Sequence, residues 1–185
     1  MTGGATETNQ HNREYIERLQ SMSETNSDKS FLNNIKFILK AEGGYNNIKG
    51  DVPTNFGITQ RIYDIYRKEI NLPIQSVQKI KIEEAVPIYY KYFWKPSGAE
   101  KLPHPLDLVY FDMYVNSNPM EAKKVLIRSN NDVYQFIENR RKFYDDVIKA
   151  KPIKAKFKNG WNNRLDNLKQ YVDEYYSNNG NANNS

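Results

Sequence analysis

Apolar positions recur along most of the chain at intervals of three and four, with polar residues between them. Phe31, Ile35, Ile38 and Glu42 share one face, which predicts a helix carrying a carboxylate on its apolar side. Gly43-Gly44 then stops that helix. Thr59 can cap a second helix bearing Ile62, Ile65 and Tyr66, ended by Leu72-Pro73. A third pattern runs from about Lys81 to Trp94 through Ala85, Ile88 and Tyr92, and Pro87 inside it predicts a kink. A fourth spans about Leu106 to Asn116 through Leu108, Phe111 and Val115. Asn118-Pro119-Met120-Glu121 reads as a cap, a proline at the first helical position and an acid, opening a short fifth helix to about Arg128. Asp132 starts a sixth with Val133, Phe136, Ile137, Phe143 and Val147. Trp161, Leu165, Leu168, Val172 and Tyr175 mark a last one. The segment Tyr45 to Ile58, rich in Asn, Gly, Asp and Pro, breaks the pattern and predicts a loop or short hairpin after the first of these helices. The result is a mainly α, helical globule.

The flanks look different. Residues 1–29 are polar, and only Tyr15-Ile16-Leu19 hints at one amphipathic turn, so a flexible N-terminal arm, or a frayed helix, is expected. Residues 177–185 (SNNGNANNS) read as a disordered tail. The absence of cysteine removes disulfides, Cys-based metal sites and a Cys nucleophile. The two histidines, His11 and His104, are too few and too far apart in sequence for a His-based zinc site, so no metal and no cofactor is expected. No run approaches the roughly 18 apolar residues of a membrane span. The first residues, MTGGATETNQHNREY, lack a basic-then-apolar signal, so a protein acting outside the cytoplasm would need another release route.

Charge narrows the partners. The net charge of +5 favours a polyanion: nucleic acid, an anionic membrane surface or an anionic wall polymer. The excess is concentrated between Lys149 and Lys169, where seven basic residues face one acid, Asp166. Phe157 and Trp161 interleave with this cluster as base-stacking residues could. Its lysines nonetheless gather around Pro152 in a connecting segment, and no recognition motif accompanies them, so a nucleic-acid partner is not expected.

Glu42 is the residue on which chemistry converges. A carboxyl on an apolar face, at the negative end of a helix, is placed to favour its proton-bound form, which a general acid requires. The glycines that follow allow close approach of substrate or backbone. Asp51, Thr54 and Asn55 lie in the polar loop beyond.

Glu42-Gly43-Gly44-Tyr45, followed by Thr54-Asn55-Phe56-Gly57-Ile58-Thr59, resembles glycoside hydrolase family 108, phage and bacterial N-acetylmuramidases of lysozyme-like (α+β) fold. The resemblance continues through Glu83-Glu84-Ala85 to Ile88-Tyr89 and Phe93-Trp94, and through Phe111-Asp112 with Val115-Asn116. It extends over Arg140-Arg141 to Tyr144, Phe157 and Gly160-Trp161 to Arg164, a stretch similar to the family's C-terminal peptidoglycan-binding region. In many members an Asp nine residues after the Glu is followed by Pro-Gly-Gly-x-Thr. Here Asp51 keeps that offset, but Thr54 follows after only Val52-Pro53. Asn118 stands where a glycine is usual.

The resemblance implies a lysozyme that cleaves the β-1,4 bond between N-acetylmuramic acid and N-acetylglucosamine, with Glu42 as general acid. Asp51 is the expected second carboxylate, and Thr54 is expected to position the attacking water. Tyr45, Asn55, Phe56, Tyr110, Tyr114 and Asn116 are expected to bind the sugar, whereas Trp94 and Trp161 are expected in the core and Asp112 is expected to be structural. The expected organisation is a catalytic region over 30–116 and a wall-binding region over 117–176. Peptidoglycan strands are the expected partner, the Lys149–Lys169 cluster the expected anionic-wall contact, and a monomer is expected. Such a protein serves as a phage endolysin or a bacterial wall-remodelling enzyme. It is expected to be made in the cytoplasm and released to the wall or periplasm by a holin or another non-Sec route. The alternative is a non-catalytic wall-binding protein on the same fold.

Overall fold

The computed structural model describes residues 3–23, 25–42, 44–46 and 52–182. It is mainly α with one small antiparallel sheet, and the chain divides into two compact units, Met1–Glu100 and Lys101–Ser185.

In the first unit, α1 (Gly3–Met22) and α2 (Asn26–Glu42) are followed by the hairpin β1 (Thr54–Asn55) and β2 (Ile58–Thr59), then α3 (Gln60–Glu69) and α4 (Ile82–Tyr89). The predicted face of α2 is the buried one: Phe31, Ile35 and Ile38 are at most 3% exposed. The Thr59 hydroxyl caps α3 by accepting from the Ile62 amide. Pro87 is accommodated inside α4, after which the ladder widens into a π turn over Tyr90–Trp94 and closes again as α5 (Lys95–Ser97). Trp94 is fully buried, its ring 5.7 Å from that of Phe31.

The polar N-terminal stretch is helical over Gly3–Met22. α1 has too narrow an apolar stripe to signal itself, with Ile16 the one buried hydrophobic residue among its described side chains. Polar links dock it: His11 Nε2 lies 2.9 Å from Glu83 Oε1 of α4, and Glu17 lies 3.6 Å from Lys36 of α2. A helix of this composition takes its stability from docking rather than from propensity.

The second unit contains α6 (Leu106–Asn116), α7 (Pro119–Arg128), α8 (Val133–Ala150) and α9 (Lys158–Ala182). A 3₁₀ segment, Pro152–Phe157, precedes α9. α6 is buried from Leu106 to Tyr114 and packs against α7 and α8. Asn118 Oδ1 accepts from the Met120 and Glu121 amides, and Asp132 Oδ1 from the Gln135 amide, as the capping patterns predict. Two successive left-handed residues, Asn130 (φ 49°) and Asn131 (φ 59°), turn the chain from α7 into α8. α9 buries Leu165, Leu168 and Val172 and runs to Ala182, so residues expected in a disordered tail continue the helix. No helix among the described residues is long and apolar enough to cross a membrane.

A charged network lies inside this unit. Asp112 of α6 is fully buried. Its carboxylate accepts from Arg140 of α8 at 2.6 Å and from Arg164 of α9 at 2.8 and 3.0 Å. Burial alone would push the Asp112 carboxyl up, but the two guanidiniums outweigh it and hold the group below the ordinary carboxylate range. Asp112 is thus structural, as expected, and Arg164 is an internal ion rather than part of a surface cluster.

Candidate active site

The site is built from a helix end and a hairpin tip. Glu42 is the final residue of α2, half-buried, and the chain must reverse to bring β1 and β2 back. It does so through a tight hairpin in which Thr54 pairs with Thr59 and Asn55 with Ile58. The two residues between the strands, Phe56 (φ 51°) and Gly57 (φ 73°), both adopt left-handed backbone, as a type I′ turn requires. Glycine takes this conformation freely, whereas phenylalanine does so at a cost of roughly 1–2 kcal/mol.

The turn is tied at both ends. Asn55 Oδ1 accepts from the Phe56 amide at 3.0 Å, while Asn55 Nδ2 donates to the carbonyls of Val77 and Gln78. The Tyr89 hydroxyl, from α4, donates to the Phe56 carbonyl at 2.5 Å. Against this turn rests the Glu42 carboxyl: a Cβ placed on Gly57 would lie 2.8 Å from Glu42 Oε2 and 2.8 Å from Tyr89 Oη. The structure therefore brings residues 42, 56, 57 and 89 together.

The other expected site residues fall as follows. Tyr45 is exposed, and its neighbour Asn46 bridges to Thr54 through two backbone hydrogen bonds of 2.8 and 3.0 Å, so Tyr45 and Thr54 sit at the open end of the hairpin. Asp51 lies outside the described residues. Asn55 is buried and its amide holds the hairpin to the Val77–Lys79 turn, the arrangement of an anchoring residue. Glu84, from the acidic pair on α4, accepts from Arg67 at 2.7 Å and from Tyr63 at 2.6 Å and so locks α3 to α4.

Tyr110, Tyr114 and Asn116 belong to α6 of the second unit. Tyr110 and Tyr114 are buried, packed edge to face at 6.0 Å, and burial pushes the Tyr110 phenol up to about 12. Asn116 Oδ1 accepts from Arg140 and Tyr144. It also lines a groove of about 150 Å³ with Phe143, Tyr144, Lys154 and Trp161. Trp161, expected in the core, is half-buried and stacks on Tyr144 with ring centroids 4.5 Å apart. Lys154 and Lys156 lie over the Phe157 ring, and every residue from Lys151 to Gly160 is exposed. Among the described residues, no three acidic or imidazole groups come together that could hold a metal ion.

Residues 35–117 match the model of the family described as Glycosyl hydrolase 108, a span that runs from within α2 past the end of α6 and contains Glu42 and the hairpin. The structure of SagA from Brucella abortus resembles the chain with a TM-score of 0.61 at 19% identity, over 77% of this chain and 93% of that one. The two share a fold. No curated protein matches the chain.

The sequence pattern points to Glu42 and to a hairpin, but not to the closeness of Gly57 and Tyr89 to the carboxyl. Both lay within quoted motifs, but only the folded chain places them beside the carboxyl.

Proposed function

We propose that this protein is a peptidoglycan hydrolase of the lysozyme type. It cleaves the β-1,4 bond between N-acetylmuramic acid and N-acetylglucosamine, with Glu42 as the general acid that protonates the leaving oxygen. The observation that carries the reading is a half-buried carboxyl at a helix end, seated against a tied hairpin, within the span that matches a glycosyl hydrolase family model. Protonating a leaving group takes a carboxyl held in one place within hydrogen-bond reach of the bond that breaks. The complementary group, base or nucleophile, is Asp51, nine residues on. Thr54 positions water, and the exposed ring of Tyr45 offers a platform for a sugar face.

In this reading residues 30–116 carry the chemistry and 117–176 carry attachment to the wall. The exposed lysines of the Pro152–Phe157 segment meet the anionic polymer, with Asn116 and Trp161 alongside. The protein works at the bacterial wall, as an endolysin or a remodelling enzyme. The deciding experiment is turbidity clearing of purified peptidoglycan by Glu42→Gln, which keeps shape and removes the acid. Loss of about 10²–10⁴-fold in rate is expected from removing a general acid. A Glu42→Gln protein that clears walls at the wild-type rate would show the assignment to be wrong, and binding without cleavage by the wild type would make this a wall-binding protein only.

A further inference from the structure

We infer that the Phe56–Gly57 turn, held by the Tyr89 hydroxyl, is the seat that sets where the Glu42 carboxyl stands, and that Tyr89 is a positioning residue for the hydrolysis proposed above. The inference rests on Glu42 being the general acid.

Two oddities of the hairpin tip are explained together by this role. A phenylalanine at φ 51° is strained, and such residues persist only where their surroundings over-determine them. Here the surroundings are the Asn55 side chain at the Phe56 amide and the Tyr89 hydroxyl at its carbonyl. The second oddity is that the space a side chain at position 57 would fill is occupied. The occupants are Oε2 and Cδ of Glu42, at 2.8 and 3.1 Å from the Cβ position, and Tyr89 Oη.

The two occupants differ in freedom. Tyr89 is fully buried on α4, its ring 5.2 Å from that of Phe93 and its hydroxyl committed to Phe56. Glu42 ends its helix and has three rotatable side-chain bonds. A side chain at position 57 therefore presses on the far end of the Glu42 side chain, its carboxyl. Tyr89 Oη stands over the same glycine as the carboxyl, and its hydrogen bond fixes the turn on which the carboxyl rests.

Tyr89→Phe removes one oxygen and keeps the ring. A misplacement of about 1 Å at a reacting group lowers rate by up to about 10²-fold. For Tyr89→Phe, kcat on a soluble, uncross-linked peptidoglycan oligosaccharide should fall about 10- to 100-fold, with KM within about twofold. A merely structural role would lower the unfolding midpoint and leave kcat intact well below it. Gly57→Ala should lower kcat by a similar factor, because the new methyl displaces the carboxyl. Since the methyl also meets Tyr89 Oη, the double variant should lose less than the product of the two single losses.

Glu42→Gln is measured in parallel. If it is inactive while Tyr89→Phe and Gly57→Ala keep wild-type kcat, the seat is refuted and the acid stands. If Glu42→Gln is active, the underlying reading fails first. Should Tyr89→Phe not fold, Gly57→Ala decides alone: wild-type kcat overturns the inference, and a fall in kcat at unchanged KM supports it.

Discussion

Replacing Asp112 by asparagine takes one charge and almost no volume from the interior of the second unit, and it should be one of the most damaging single changes there. The carboxylate is fully buried and receives Arg140 at 2.6 Å and Arg164 at 2.8 Å, with those side chains 1% and 11% exposed. Unit charges about 4 Å apart interact by about 4 kcal/mol at an effective dielectric near 20. The variant loses two such attractions and leaves two guanidiniums to repel each other, offset by recovery of the carboxylate's own desolvation. Breaking a buried ionic group on one side costs about 3–5 kcal/mol in practice. For a chain of this size each kcal/mol lowers the midpoint by about 2–4 °C, so a fall of about 6–20 °C is expected.

The chain contains two tryptophans, Trp94 in the first unit and Trp161 in the second, so Trp161 fluorescence in a Trp94→Phe background reports the second unit alone. Trp161 stacks on Tyr144, whose hydroxyl accepts from Arg140, so the reporter adjoins the network. The expected order of damage is Asp112→Asn, then Arg140→Met, then Arg164→Met, because the last guanidinium is the most exposed. An Asp112→Asn midpoint within about 2 °C of its parent would refute the reasoning, since the estimate leaves no room for so small a cost.

Three further outcomes are expected. Because the folded Asp112 carboxyl is held below its unfolded value near 3.9, its stabilisation is complete above that pH and is lost as pH falls through the lower folded value; the Asp112→Asn deficit in thermal melts should therefore shrink below about pH 4. Asn131→Ala, at φ 59°, should lower the midpoint by about 2–4 °C, whereas Asn131→Gly should not, as melting curves of the three proteins would reveal. Replacing Lys151, Lys154, Lys156 and Lys158 together by Gln should reduce co-sedimentation with purified walls at low salt much more than it reduces cleavage of a soluble oligosaccharide, the difference closing near 1 M salt; equal losses would contradict the division of labour.

Local signals carried most of the fold. α6 and α7 were readable because Asn118 caps, Pro119 opens and the apolar periodicity stops at the same place. The hairpin was readable as an interruption, since Asn, Gly and Pro punctuate it. α1 was not, because one buried isoleucine makes no pattern, and its partners Glu83 and Lys36 stand in other helices. The candidate site divides the same way. Glu42 announces itself by lying on an apolar face. Gly57 and Tyr89 come to the hairpin tip through contacts that join positions up to 33 residues apart. Tyr110 and Asn55 looked like sugar contacts because aromatics and amides suit sugars. Composition does not reveal that Tyr110 is buried in α6 or that the Asn55 amide ties the hairpin to the carbonyls of Val77 and Gln78.

The position of Arg164 in the chain has a consequence for how the protein is born. It follows Asp112 by 52 residues, and α9 also brings Leu165, Leu168 and Val172. At a synthesis rate of about 5–20 residues per second, α6, α7 and α8 leave the ribosome seconds before their cover arrives. During that interval Asp112 has Arg140 as its sole counter-ion from this network, and the apolar surface that α9 will close stands open to water. The last helix thus works as a latch: the second unit stays provisional until it emerges, and a ribosome that stops or a protease that cuts ahead of Arg164 leaves three helices without their lock.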